Sequence, residues 1–225
     1  MKGTLVNAAA VLIGSVIGMM LKSGIPERYQ KIVLQGLGLT TTIIGIQMSM
    51  KTQNILILIF SLVIGALVGE KVGIERRLKS FGEWVTSRLG TKHGDVGEGF
   101  IVASLLYCVG AMAVVGSIQE GMTGDASILY AKSVLDGVSA VIFGSTLGIG
   151  VALSSISVVI YQGSITMLAA QASGIFSEVV MREMTAVGGA LILAIGLMIL
   201  EVKRLNVANL LPAIPAAAFI SLLWP

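Results

Sequence analysis

The sequence predicts an all-α fold, a polytopic transmembrane helix bundle of about eight spans, and three observations predict it. The chain is 55% hydrophobic over 225 residues, with a mean hydropathy of +0.94. Only 12% of it is charged, about half the ~25% of an ordinary soluble domain. Its apolar residues come in long continuous runs, unlike the ~10-residue alternating strands of a transmembrane β-barrel. A soluble domain of this size could not hide so much apolar surface. The same composition excludes disordered, collagen-like and disulfide-stapled chains.

A spanning helix needs ~20 mostly apolar residues. Eight segments qualify: 3–21, 32–50, 54–69, 98–118, 128–147, 154–173, 184–200 and 206–224. The first follows Lys2, as a signal peptide would, but Gly14 and Gly18 prolong it to full length and more spans follow, so it is read as retained. The stretch 128–173 divides near Gly148, Gly150, Ser154 and Ser155, where small residues permit a tight turn. Asn206 and Asn209 open the last span, and Pro212 and Pro215 should kink or break it. The whole of 1–225 reads as one transmembrane domain, ending in the last two spans, 184–224.

Between the third and fourth spans, Ile74, Leu78, Phe81, Val85 and Leu89 recur at helical spacing among Arg76, Arg77, Lys79 and Arg88. This predicts an amphipathic helix over 74–90 on the cytoplasmic leaflet, with Trp84 near the headgroups. A solvated connector is the plainer alternative. Lysines and arginines sort unevenly between the sides. Lys22, Arg28, Lys31, Lys71, Arg76, Arg77, Lys79, Arg88, Lys92, Lys203 and Arg204 fall on one side, and Lys2, Lys51 and Arg182 on the other. The richer side should be cytoplasmic, with both termini outside.

Tyr29–Gly36 and Tyr130–Gly137 share Tyr, Lys, Val, Leu and Gly at matching places. Each opens a span, and the two spans should run oppositely. This is the pattern of an inverted repeat, with halves 1–73 and 98–173, and inverted halves favour a transporter. Chance similarity in low-complexity sequence is the alternative.

Few residues can carry chemistry. Thr123, Asp125 or Ser127 can cap the fifth span. Capping leaves Lys132 and Asp136 unexplained: they are four apart, on one helical face, and Asp136 lies ~12 Å into the span. Ionisable groups at such depth face a polar cavity or one another. A substrate or proton pathway is therefore expected over Glu120, Thr123, Asp125, Ser127, Lys132 and Asp136, with Asn7 and Asn209 as further polar candidates. A Lys132–Asp136 bridge that merely holds helices together is the structural alternative. Glu70, ending the third span among basic residues, reads as an interface cap. The pairs Gly14/Gly18, Gly65/Gly69 and Gly144/Gly148 allow close helix approach. That suits packing within one protomer or, alternatively, a homo-oligomer face.

Other classes find no support. The single cysteine, Cys108, permits no intrachain disulfide, and the lone His93 with it is too little for a structural zinc site. No histidine lies inside a span for a triad, and no P-loop lysine pattern occurs. No basic tail suggests nucleic acid. No enzyme activity, cofactor or metal is expected. The expected partners are the lipid bilayer and a small solute or ion.

Glu120-Gly-Met-Thr-Gly-Asp125, followed by Ser127-Ile-Leu, Ala131-Lys-Ser and Leu135-Asp136, resembles the signature of the YqgA/YdfK-type bacterial membrane proteins, the domain of unknown function family 554. Asn7-Ala, Pro26-Glu-Arg, Gly65-Ala-Leu-Val-Gly-Glu70, Ala186-Val-Gly-Gly189 and Asn209-Leu-Leu-Pro-Ala213 extend the resemblance along nearly the whole chain. The resemblance implies a multi-pass protein of the bacterial plasma (inner) membrane, described as a transporter. It supplies neither a substrate nor catalytic residues. The residues themselves leave two readings: a transporter or pore for a small polar or ionic solute, coupled to protons through the Lys132/Asp136 face, or a non-transporting membrane scaffold or sensor.

Overall fold

The computed structural model describes residues 1–21, 26–77, 80, 94–108, 111–173 and 177–224. These are helical with no strand among them. The helices are α1 (Lys2–Met20), α2 (Glu27–Ser49), α3 (Ile55–Val72), α4 (Gly94–Cys108), α5 (Ala111–Thr123), α6 (Ser127–Leu147), α7 (Ile149–Ser173), α8 (Glu178–Ile199) and α9 (Ala213–Leu223), with a 3-10 turn at Val207–Leu210. Five of them, α1, α3, α6, α7 and α8, are long and apolar enough to cross a membrane. The fourth predicted span is broken: Val102–Cys108 and Met112–Thr123 meet at 52°, and the pair counts as a sixth crossing if read as one span.

The last predicted span is also discontinuous, for the reason its prolines give. Pro212 is the N-cap of α9 and Pro215 its third residue, where a missing N–H costs no hydrogen bond. The chain before them closes only a 3-10 turn, leaving α9 at 11 residues. The division of 128–173 falls at Gly148, whose φ of +66° turns α6 into α7. That backbone is open to glycine at no steric cost. Gly150, Ser154 and Ser155 lie beyond the turn, inside α7. Of the amphipathic segment 74–90, residues 74–77 are helical after the left-handed cap at Gly73. Most of the remainder lies outside the described residues, Trp84 included.

Small residues decide which helices meet. In a bilayer, burial from lipid gives little drive to associate, so close van der Waals approach matters more. α1 runs parallel to α6 through such a seam. A Cβ on Gly14 would strike the carbonyl oxygen of Gly137, one on Gly18 that of Val141, and one on Gly144 would come within 2.6 Å of Ser15 O. α2 lies antiparallel to α8, with Gly45 against Leu193, Gly189 against Met48 and Gly196 against Thr42. Gly65 and Gly69 of α3 pack on Ala213 and Asn209. These glycines are spent on contacts within one chain, except Gly148, which serves the turn.

Two apolar cores result. One joins α2, α5, α6, α8 and α9 through Met48, Val115, Ile128, Met184, Leu191 and Ile214. The other joins α1, α4, α6 and α7 through Val11, Tyr107, Ala140, Val151 and Val158. Exposed Leu5, Ile13, Ile59, Leu67, Ile160 and Leu168 form the outer surface that lipid would cover.

Candidate functional site: a buried polar network around Asp136

Lys132 and Asp136 occupy successive turns of α6, on the face turned inward, at 5% and 6% exposure. Lys132 Nζ donates to Asp136 Oδ2 at 2.5 Å. The same oxygen accepts from Nδ2 of Asn7 on α1, at 2.9 Å. Asn7 is fully buried. The α1–α6 glycine seam explains how so short a side chain reaches: the two backbones approach closely enough for an asparagine to span the gap. A buried charge pair persists only when its geometry is good and its remaining lone pairs are satisfied. Asn7 supplies that additional bond.

Glu120, near the end of α5, is the second buried acid. Its Oε1 accepts the N–H of Gly3 at 2.8 Å, and the Met1 α-amino nitrogen lies 3.0 Å from the same oxygen. Its Oε2 is buried without a hydrogen-bond partner. One part of this arrangement is structural, since Glu120 satisfies a free donor in the first turn of α1. It also brings Glu120 to within one turn of Asn7 along α1.

Thr123, Asp125 and Ser127 form the turn into α6. Asp125 Oδ1 accepts from Ser127 N at 3.0 Å, while Thr123 Oγ1 accepts from Asp125 N at 3.3 Å. Ala126 holds the N-cap position itself, without a side-chain cap, so capping is done from one residue earlier than the fold of the turn would suggest. Thr123 and Asp125 also border an open recess of about 360 Å³, with Lys51, Gln119, Arg182 and Thr185. Gln119 ties this recess together: its Oε1 accepts from Thr185 Oγ1 and its Nε2 donates to Thr123 Oγ1, each at 3.1 Å.

Asn209 stands apart from the other predicted residues. It lies by the end of α3, roughly 25 Å along that helix from the recess. Its Nδ2 donates to Glu70 Oε2 and its Oδ1 accepts from Glu75 N, both at 2.7 Å. Glu75 Oε2 in turn accepts from Ala208 N at 3.1 Å. These bonds satisfy backbone groups freed by the discontinuous last span. Glu70 thus holds Asn209 at the end of α3.

Several polar residues escape the sequence reading. Glu183 is 1% exposed because α8 begins at Glu178, six residues before the predicted span. It accepts from Gln53 N at 3.0 Å and from the Thr52 hydroxyl, closing the start of α3, with Arg182 Nε 3.5 Å away. Ser117, Gln162 and Thr166 are buried on α5 and α7. A glutamine in the middle of an apolar run, as Gln162 is, was the available signal.

Residues 2–222 match the family described as "Protein of unknown function (DUF554)". Among its relatives, the "Uncharacterized protein YqgA" of Escherichia coli (strain K12) is 35% identical over 99% of this chain and 97% of its own. The "Uncharacterized membrane protein YdfK" of Bacillus subtilis (strain 168) is 33% identical over 95% of this chain and 93% of its own. No solved structure matches. With its apolar helices and these matches, the chain is a membrane protein belonging to the DUF554 family of unknown function.

Proposed function

We propose that the chain is a non-enzymatic transporter or pore for a small polar or ionic solute. The observation that carries this reading is the Asn7–Asp136–Lys132 network, two charges and an amide buried between helices. A scaffold gains little from burying charge in a bilayer, whereas ionisable groups there commonly mark solute or proton paths. The broken α4–α5 segment adds support, because discontinuous helices often flank transporter sites. Glu120 sits on it, and the recess at Thr123 and Asp125 opens at its end.

In this reading solute enters by the recess and Asp136 exchanges a proton while Lys132 holds its charge in check. Asn7 positions the carboxylate. The eight segments of the sequence each traverse the bilayer, the α4–α5 pair and the turn-plus-α9 pair as broken crossings. The matched segments Tyr29–Gly36 and Tyr130–Gly137 support inverted halves that alternate about the network. The bacterial plasma membrane is the assigned location, with the arginine- and lysine-rich ends inside. The bilayer and the solute are the partners this reading requires; association of copies is not required by it.

The test is permeation. Liposomes containing the purified chain are mixed with isosmotic small salts, organic acids, amino acids and sugars, and swelling is followed by light scattering. At least one solute should enter several-fold faster than into protein-free liposomes. Equal rates across the whole panel would overturn the reading.

A further inference from the structure

We propose that Glu120, with the neutral oxygens of Thr4, Ser117 and Gln162, forms a binding site for a monovalent alkali cation between α1, α5 and α7. These residues, with Asn7 and Thr166 flanking them, are at most 5% exposed. Thr4 Oγ1, Asn7 Oδ1, Ser117 Oγ, Glu120 Oε2, Thr166 Oγ1 and both amide atoms of Gln162 are buried without a hydrogen-bond partner. Buried polar atoms are normally satisfied, and a concentration of exceptions asks for something that satisfies them.

Helix packing sets Thr4, Ser117 and Gln162 at about one level, with Thr166 a turn to one side and Asn7 a turn to the other. Along α4–α5 and α7 the contacts advance in the same direction: Ser104 Oγ donates to Ser157 Oγ at 2.9 Å, and farther on Gly121 packs against Thr166 and Ala169. The two run parallel, so stepping back four residues on each sets Ser117 level with Gln162. The Glu120–Gly3 bond then fixes the first turns of α1 against them, carrying Thr4 and, one turn on, Asn7. The amide of Asn7 is oriented by its bond to Asp136, which leaves Oδ1 as the free atom.

The donor chemistry selects the ligand. Six of the seven unsatisfied atoms are oxygens, the donors hard cations take. Charge limits the ion to one unit. Lys132 and Asp136 offset each other, and Glu120 is the remaining buried acid in the cluster. The Met1 amino group pairs with the other Glu120 oxygen at 3.0 Å, so Oε2 is the carboxylate atom left facing the cluster, and no net charge is present to hold an ion of more than one unit. No group of three or more His, Cys, Asp or Glu exists among the described residues to suit a divalent metal.

This goes beyond the transport reading and is tested without flux. The melting temperature of the full chain in detergent is measured in sodium, potassium or choline chloride at equal ionic strength. One alkali cation should raise it saturably by several degrees over choline, as a ligand specific to the native state does. In Gln162→Leu the half-saturating concentration should rise at least tenfold; Ser117→Ala serves if that variant does not fold. Identical melting in all three salts would overturn the site, as water filling the cluster would give no dependence on the cation. An unchanged half-saturation in the variant would overturn it too, by locating the ion elsewhere. Failure here leaves solute permeation open, and absent permeation leaves this binding open.

Discussion

Asn7 on α1 donates to Asp136 on α6 across 2.9 Å, at a level of the bundle where both side chains are buried. Residues 129 apart in sequence are thus joined through one carboxylate oxygen, to which Lys132 also donates. The glycine seam between the helices makes the approach possible, and the approach in turn makes the buried carboxylate tolerable.

The charge pair should behave as a unit. Lys132→Met leaves Asp136 without its cation and should destabilise the fold by ~3 kcal/mol. The double variant Lys132→Met/Asp136→Leu removes both charges and should recover much of that loss. Melting temperatures of the two proteins in one detergent check this. A double variant less stable than the single one would mean the pair does not act together.

Asn209 should matter for stability and not for permeation. Asn209→Leu strips Glu70 and the Glu75 N–H of their partner. A loss of ~2 kcal/mol is expected, with swelling rates unchanged at a temperature where the variant stays folded. A rate that falls with full folding would bring Asn209 back into the pathway.

Glycines at the seam and off it should differ sharply. Gly14→Leu forces a side chain into the Gly137 carbonyl and should dissociate α1 from α6, seen as a steep fall in melting temperature. Gly36 has open space at its missing Cβ. Gly36→Ala should therefore be neutral or stabilising by about 0.5–1 kcal/mol, from reduced chain entropy in the unfolded state. Similar losses in both would contradict the packing described.

The membrane class, the rough placement of most helices and the turn at Gly148 were legible because hydropathy and glycine act locally. The Lys132–Asp136 contact was legible too, since i,i+4 spacing guarantees a shared face. Asn7 could be suspected, but its partner could not be read, because it depends on which helices pack. The burial of Glu183 was hidden by its position among charged neighbours just outside an apolar window. Gln162 and Ser117 were passed over because single neutral polar residues are common in spans. Their shared lack of partners is what sets them apart from other neutral polar residues. The break within α4–α5 has no proline to announce it, unlike that before α9.

The most direct test is solute entry into liposomes carrying either the unaltered chain or Asp136→Asn, compared at equal protein content with an imposed pH gradient and an internal pH dye. The unaltered chain should admit its solute together with protons, and Asp136→Asn should fold yet lose the proton movement. Proton movement unchanged in Asp136→Asn would contradict the role given to the buried network.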